Sequence, residues 1–374
     1  MSAMVKAESS IVKAAIINAI GRGFDIASIE VAVPIRCEVL VDVKASGLCR
    51  TDLLNTVHDM GYPMPSVFGH EVAGIVEAVG PEVQHLRVGD HVVACLLQSC
   101  GACAKCLGGK PFQCVHSEAT MRRAGEPPRL SANGVPLFQG FGLGGFAGKA
   151  LIHENQLVKV PELLPFPQGA LLGCGVMTGA GSVLNTANVR AGDSVVVIGG
   201  GGVGLNAVSG AKIAGAAKII VVDINDRKLE TAKLFGATDL VNSKVVDPVE
   251  AVRQITGGGA DHVFDVVGVS EVAQQSLAML GMGGGLYLIG VASPESAVSV
   301  SIVSSVLKQT KVQGVTLGSS NFKRDIPMYT QLYLQGRMNL DDLVTKEIAL
   351  DDINEGYELV KRDSSIVRVV ITSF

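Results

Sequence analysis

Between Ser194 and Asp223 the chain reads SVVVIGGGGVGLNAVSGAKIAGAAKIIVVD. The apolar burst Val195 to Ile198 predicts a buried strand, and the glycines from Gly199 to Gly204 a tight turn. Ala207, Val208, Ala211 and Ala214 follow at helical spacing. A second apolar run from Lys218 ends on Asp223, 19 residues beyond Gly204. A G-x-G-x-x-G by itself is weak, because glycine-rich turns are common. Here Gly199, Gly201 and Gly204 stand between a strand and a helix, with an acid closing the next strand. That context predicts a dinucleotide fold.

Each part has a physical task. Gly199 allows the turn, Gly201 lets the backbone approach a pyrophosphate with no Cβ between, and Gly204 lets helix and strand pack closely. The free N–H groups of the helix start, at Gly202, Val203 and Gly204, face the phosphates. Asp223 accepts hydrogen bonds from both ribose hydroxyls. It also repels a 2′-phosphate, by about 4 kcal/mol per unit charge at about 4 Å and an effective dielectric of about 20. Ile224 follows it, and Arg227 is the nearest cation, so NAD is expected over NADP. Lys228 and Val291 are further candidate cofactor contacts.

A chain of 374 residues is long for one core, so two domains are expected. It is 48% hydrophobic and 18% charged with 45 glycines, which suits a compact α/β protein and excludes a disordered one. A net charge of −4 provides no basic field for nucleic acid. The apolar run from Ile11 to Ile20 is broken by Lys13 and lacks a signal-peptide cleavage pattern. The uncharged stretches 169–189 and 194–211 hold too much Gly, Ser, Thr and Asn to read as membrane spans. A cytoplasmic protein is expected, and in that compartment eight cysteines point to metal or catalysis before disulfides.

Ahead of the nucleotide fold the sequence alternates in short strands. Cys37 reads as a small buried residue of a strand, and Cys95 as another. The alternating runs with Gly-Asp turns around residues 72–93 predict an antiparallel, barrel-like sheet. Then comes Cys100-x2-Cys103-x2-Cys106-x7-Cys114. Four thiolates so close can wrap one tetrahedral zinc with no open position, a structural site within the loop 100–114. Such a site stabilises its loop by on the order of 10 kcal/mol in peptide models. An iron–sulfur cluster is the competing reading, but clustered ligands with no proline after the last fit zinc better. Residues 121–145, polar and carrying Arg122, Arg123 and Pro127-Pro128, read as a long surface loop. Beyond Asp223, strand and helix alternate as far as Thr316, predicting a six-stranded doubly wound sheet with helices such as Asp226 to Phe235 and Glu271 to Leu280. The tail from Asn321 carries mixed helices and a last strand, and is expected to pack back on the first domain.

Two cysteines remain, Cys49 and Cys174, with His70, the one histidine followed directly by a glutamate in a Gly-rich turn. Two thiolates, one imidazole and a water make an open zinc site of catalytic type. From the residues alone, a lone His70 reads more often as a satisfied structural histidine. The two spare cysteines shift that balance.

The blocks Cys49-Arg50-Thr51-Asp52, Gly69-His70-Glu71, the four-cysteine cluster, Gly173-Cys174-Gly175 and the glycine turn stand in order along nearly the whole chain. Together they resemble the zinc-dependent medium-chain alcohol dehydrogenases. The resemblance is nearest to the longer forms, which include liver-type and glutathione-dependent formaldehyde dehydrogenases and bacterial aryl- or benzyl-alcohol dehydrogenases. It implies an α/β protein with a GroES-like, mostly-β catalytic domain from residues 1–178 and 319–374, and a doubly wound Rossmann NAD-binding domain from 179–318. It implies two zinc ions per subunit. Cys49, His70 and Cys174 resemble the catalytic zinc ligands, Glu71 the carboxylate that approaches the metal during ligand exchange, and Asp52 the residue that orients the His70 ring. Thr51 resembles the hydroxyl that bonds the substrate oxygen, and Arg50 and Arg368 the pyrophosphate-binding arginines. Thr178 and Val203 match positions that press on the nicotinamide.

The implied reaction is oxidation of a primary alcohol, medium-chain or aromatic, to the aldehyde, and its reverse. Hydride would pass to NAD from an alkoxide on the metal, with the proton leaving through Thr51. Leu96, Phe141 and Val291 are the implied pocket walls. Liver-type enzymes often carry a histidine three residues after the hydroxyl residue, and this chain has Leu54 there. Protons would then leave by the cofactor ribose and water, or through His58. The competing enzyme readings are a thiol-dependent formaldehyde dehydrogenase, a nicotinoprotein that retains NAD and dismutates aldehydes, and a zinc-free reductase. A scaffold module stapled by the cysteine cluster is disfavoured by the acidic charge and the full nucleotide fold. The stretch around residues 115–140 resembles that of dimeric members, so a homodimer is expected over a tetramer, with no membrane partner.

Overall fold

The computed structural model describes residues 9–293 and 295–374. They form two compact units. One comprises the chain to Cys174 with Asn321–Leu334 and Val344–Phe374, the other Gly175–Ser320 with Gln335–Leu343. The units depart from the expected 1–178 with 319–374 and 179–318: residues 175–178, 319–320 and 335–343 fall with the nucleotide fold, Thr178 among them.

In the second unit the apolar runs become parallel strands in the spatial order Asp239–Asn242, Lys218–Asp223, Ser194–Ile198, Ala260–Asp265, Leu280–Leu288, Lys311–Gly314. This is a doubly wound sheet whose strand order reverses beside Ser194–Ile198, where such sheets take their ligand. Val195, Val196, Val197, Ile220 and Val221 are wholly buried. Each contributes on the order of 1.5–3 kcal/mol through burial. The helices carry their own stop signals. Asn225 accepts hydrogen bonds from the Arg227 and Lys228 N–H groups at the start of Asp226–Phe235, and Gly236 ends that helix in the left-handed conformation. Asp247 and Gly257 do the same for Pro248–Thr256. The second expected helix is observed as Ser270–Ala278.

The first unit is two sheets. The larger runs Leu157–Lys159, His91–Ala94, Glu71–Val79, Glu38–Gly47, Arg368–Ser373, Val344–Ala349, with Lys149–His153 also paired to Glu38–Gly47. The smaller is built on Ser10–Ile17 and Asp25–Val31. Most pairs are antiparallel, as the alternation predicts, but Val344–Ala349 lies parallel to Arg368–Ser373. The C-terminal strand thus sits beside the N-terminal strand Glu38–Gly47, with Val370 opposite Gly47.

Three local expectations are corrected. Cys37 is in a turn ahead of Glu38–Gly47 and only half-buried, its thiol 3.8 Å from a Glu82 carboxylate oxygen. Cys95 is fully buried but follows the strand His91–Ala94 instead of belonging to it. Residues 121–145 are not a plain surface loop. They contain the short strands Leu130–Ala132, Val135–Pro136 and Phe138–Gln139, and they are fixed by a buried ion network. Arg122 donates from Nε and Nη2 to the two Glu38 carboxylate oxygens at 2.9 and 2.7 Å, and Arg129 Nε donates to one of them at 2.7 Å. The surface-loop reading missed this network because the acidic partner of both arginines lies more than 80 residues away.

Among the described residues one helical stretch, Phe166–Ala187, is long and apolar enough by composition to cross a membrane, and 78% of its most apolar 18-residue window is buried within the protein. It passes through a π-helical turn at Leu172–Val176 that carries Cys174.

Candidate metal and cofactor sites

Strand pairing brings the open metal site together. Glu38–Gly47 runs antiparallel to Glu71–Val79 with Gly47 opposite Glu71, so Cys49, two residues past one strand, meets His70, one residue before the other. Cys49 then caps the helix Arg50–Val57 in extended backbone conformation. Gly173 allows the third approach, since a Cβ there would overlap the Ala94 carbonyl oxygen, and this closeness seats Cys174 against the same corner. One ligand atom from each of Cys49, His70, Glu71 and Cys174 lies within 4.8 Å of all the others, and all four residues are buried.

The ring of His70 is fixed from behind. Its Nδ1 lies 2.9 Å from Asp52 Oδ1, which also accepts the Gly69 N–H at 3.2 Å. A proton on Nδ1 leaves the Nε2 lone pair facing Cys174 Sγ at 3.3 Å, the tautomer that can ligate. Burial alone would lower the His70 imidazole, but the Asp52 and Cys49 charges raise it well above its ordinary value. The Cys174 hydrogen bond, with the His70 charge, holds Cys49 well below the ordinary thiol range. Glu71 is pushed up to about 7, chiefly by burial. Neither of its carboxylate oxygens has a hydrogen-bond partner, and the Arg368 guanidinium is 3.6 Å from Oε1. Beyond the charge that Arg368 offers Glu71, two sulfurs, an imidazole lone pair and carboxylate oxygens without hydrogen bonds are donors that a bound cation would satisfy. The donor set fits zinc.

The four-cysteine loop gives a second, closed set. Its four sulfurs all lie within 4.8 Å of one another, with Cys100–Cys114 at 3.6 Å, Cys103–Cys114 at 3.9 Å and Cys100–Cys106 at 4.0 Å. Tetrahedral zinc with bonds of about 2.3 Å requires sulfur separations of about 3.8 Å, whereas a disulfide requires about 2.05 Å. Backbone N–H groups of Ala102 and Cys103 point at Cys100 Sγ, and those of Cys100 and His116 at Cys114 Sγ. The Cys106 N–H is the main cause that lowers Cys103 to about 6. Such donors favour thiolates over thiols.

In the other unit the glycine turn has the form of a phosphate cradle. Gly199 has φ +102°, Gly201 faces open space, and a Cβ on Gly204 would overlap the Gly199 carbonyl oxygen. Helix Gly202–Ala214 begins at Gly201 without a side-chain cap, leaving the N–H groups of Gly202 and Val203 free for an anion. Asp223 Oδ2 accepts the Gly200 N–H at 2.7 Å and Oδ1 the Asn225 N–H at 2.9 Å, which holds the carboxylate at the mouth of the turn. Lys228 packs its stem against Gly200. Gly179, next to Thr178, packs on the Val203 backbone, so those two positions are neighbours. Val291 lies exposed beyond the strand Leu280–Leu288.

The remaining expected residues divide. Phe141 stands edge-on to His70 with ring centroids 5.3 Å apart, and its φ of +54° is a strained value for a bulky residue. Leu96 packs into the strand core with Val39 and Val41. Thr51 is half-buried in the first helical turn, and its hydroxyl has no hydrogen-bond partner among the described residues. Arg50 is exposed at the helix start, and Arg368 turns inward to Glu71 and the Leu48 carbonyl. Sequence reasoning misses two features. Tyr62, Phe68 and Phe138 extend the Phe141 ring contacts into an aromatic cluster, and Tyr357 donates its hydroxyl to the Cys49 carbonyl at 3.1 Å. No local pattern marks either; their partners are remote in sequence.

Comparison with known proteins bears on this geometry. Residues 36–162 match the alcohol dehydrogenase GroES-like domain, and residues 202–332 match the zinc-binding dehydrogenase domain. The chain belongs to the zinc-dependent medium-chain alcohol dehydrogenases. It is 38% identical to an NDMA-dependent alcohol dehydrogenase of Amycolatopsis methanolica, over 96% of this chain and 98% of that one. It is 35% identical to an S-(hydroxymethyl)glutathione dehydrogenase of Paracoccus denitrificans, over 96% and 99%. Among solved structures, the benzyl alcohol dehydrogenase of Acinetobacter calcoaceticus is similar, with a TM-score of 0.92 and 34% identity over 98% of this chain and all of that one. Like its family, this alcohol dehydrogenase is an oxidoreductase with a GroES-like and a Rossmann-type domain.

Proposed function

We propose that this alcohol dehydrogenase oxidises an aromatic or medium-chain primary alcohol to the aldehyde, and catalyses the reverse, with NAD as the hydride carrier and two zinc ions per subunit. The observation that carries the reading is the buried convergence of Cys49, His70 and Cys174 beneath an aromatic wall headed by Phe141. Cys49, His70 and Cys174 would hold the catalytic zinc, with Glu71 beside them, and Cys100, Cys103, Cys106 and Cys114 the structural one. When bound, the catalytic zinc supplies a Lewis acid that acidifies an alcohol or polarises an aldehyde carbonyl. NAD supplies the hydride acceptor.

The chain's own residues do the rest. Asp52 keeps the His70 proton on Nδ1, so that Nε2 stays a ligand. The unpartnered Thr51 hydroxyl accepts the substrate proton by hydrogen bonding. Leu54 cannot pass that proton on, so it leaves through the cofactor ribose and water, or by way of His58. Gly199, Gly201, Gly202, Val203 and Gly204 bind the pyrophosphate. Asp223 holds the adenosine ribose and repels a 2′-phosphate. Phe141 and its ring neighbours exclude water and favour an apolar carbinol over a charged thiol adduct.

The test is a substrate panel with NAD and NADP alongside metal quantitation. Two zinc per chain, NAD preference and turnover of benzyl alcohol or hexanol are expected, and Asp223→Ser should narrow the NAD preference at least tenfold. The name of the Paracoccus relative motivates the competing arm, formaldehyde with and without glutathione. Activity confined to formaldehyde plus thiol would replace the reading. NAD retained through gel filtration would favour the nicotinoprotein reading instead.

A further inference from the structure

The backbone of the first cysteine ligand is fixed from the far end of the chain. Val369 O accepts the Leu48 N–H at 2.9 Å, Arg368 Nη1 donates to Leu48 O at 3.4 Å, and Tyr357 Oη donates to Cys49 O at 3.1 Å. The Cys49 carbonyl has otherwise one long hydrogen bond, from Leu53 N–H at 3.3 Å, and Cys49 makes no side-chain cap. Without the tyrosine, the peptide that aims Cys49 Sγ would be held at its carbonyl by a fraying first helical turn.

Tyr357 itself is firmly seated. Its ring stacks on Phe24 at 5.6 Å with the planes 9° apart. Asn354, one turn earlier on the helix Ile353–Arg362, clamps the Phe24 backbone. Its Oδ1 accepts the Phe24 N–H at 3.0 Å, and its Nδ2 donates to Phe24 O at 2.8 Å. The Leu48 side chain packs against Gly356. Packing thus fixes the ring, and the hydroxyl is the one polar atom it delivers to the metal corner. A phenylalanine would fill the same space and omit that bond.

We propose that Tyr357 is a positioning residue for the metal centre, its hydroxyl fixing the Cys49 peptide so that Sγ stays aimed at His70 and Cys174 and the metal is retained. This rests on reading Cys49, His70 and Cys174 as metal ligands. Groups that support ligands from behind typically alter metal affinity 10- to 100-fold when removed, and Tyr357 does so through the backbone, one bond further out.

The test uses the full-length protein with cobalt(II) exchanged into the open site, read by its thiolate charge-transfer absorption and by its rate of loss to dipicolinate. Tyr357→Phe is expected to release this metal about 10-fold faster and to shift the absorption, with the four-cysteine metal unaffected. Phe24→Leu, which keeps the hydroxyl but weakens the stack, is expected to lower the melting temperature while leaving release within twofold of wild type. Wild-type release and spectrum in Tyr357→Phe would overturn the proposal. So would equal acceleration in Phe24→Leu, which would make the effect one of packing alone. A wild-type protein that binds metal only at the four cysteines would instead refute the metal reading itself.

Discussion

At the residue scale, His70 and Leu54 carry opposite lessons. His70 has both ring nitrogens engaged, one by Asp52 and one facing Cys174, so its role is set by neighbours that fix its tautomer. Leu54 is informative for what it lacks. Thr51, Leu54 and His58 follow one another at spacings of three and four residues and share a side of the helix Arg50–Val57 and its C-cap. An imidazole at 54 would bridge the hydroxyl to the exposed His58. Leu54→His is therefore expected to raise turnover near neutral pH about 10-fold and to add an inflection near pH 6.5 to the rate profile. An unchanged profile would show that proton release does not pass along this helix face. The four-cysteine spacing was legible in the sequence, whereas Cys49, His70 and Cys174 were grouped by resemblance and are brought together by the fold. The orienting partners were only suggested by resemblance, because a hydrogen bond between Asp52 and His70 has no local signature.

At the scale of elements, the stretch 121–145 depends on Glu38 at the start of a central strand. Its side chain is 4% exposed and takes hydrogen bonds from two arginines that are 8% exposed. Burial by itself would raise this carboxyl, but the Arg122 and Arg129 hydrogen bonds and charges hold it below the ordinary range. The sign follows from that lowering. The folded state binds the proton less readily than the unfolded chain does, so the stabilisation is complete above the unfolded value near 4.3 and is lost as pH falls through the lower folded value. Glu38→Gln leaves two buried guanidinium groups without their charge partner. It is expected to lower unfolding stability by about 3 kcal/mol at pH 7 and to flatten the acid limb. Urea unfolding between pH 3 and 7 measures both. An acid limb as steep as wild type would remove Glu38 as its cause. The strand–helix alternation of the nucleotide fold could be read locally. This ion network could not, because its members lie on separate segments.

At the scale of the whole molecule, the strand Lys311–Gly314 is one of the two edges of its sheet, and the helix Ile302–Lys308 leaves apolar side chains in solvent, with Ile302 80% and Val306 70% exposed. An unpaired edge beside an apolar face favours self-association. We expect a homodimer joined there, of twice the 38.8 kDa chain mass. Val306→Glu should shift the light-scattering mass toward the monomer, and a wild-type monomer would refute the interface. The sequence by itself determined the nucleotide fold and the four-cysteine loop, because each is written in short-range spacing that chain geometry converts directly into shape; it named Cys49, His70 and Cys174 only through resemblance, since His70 and Cys174 stand 104 residues apart. Tertiary structure alone decided that Gly47 faces Glu71 across a strand pair, that Arg368 turns inward and that Tyr357 reaches Cys49. Those contacts depend on strand register and on where a distant helix packs, and neither is encoded within any one segment.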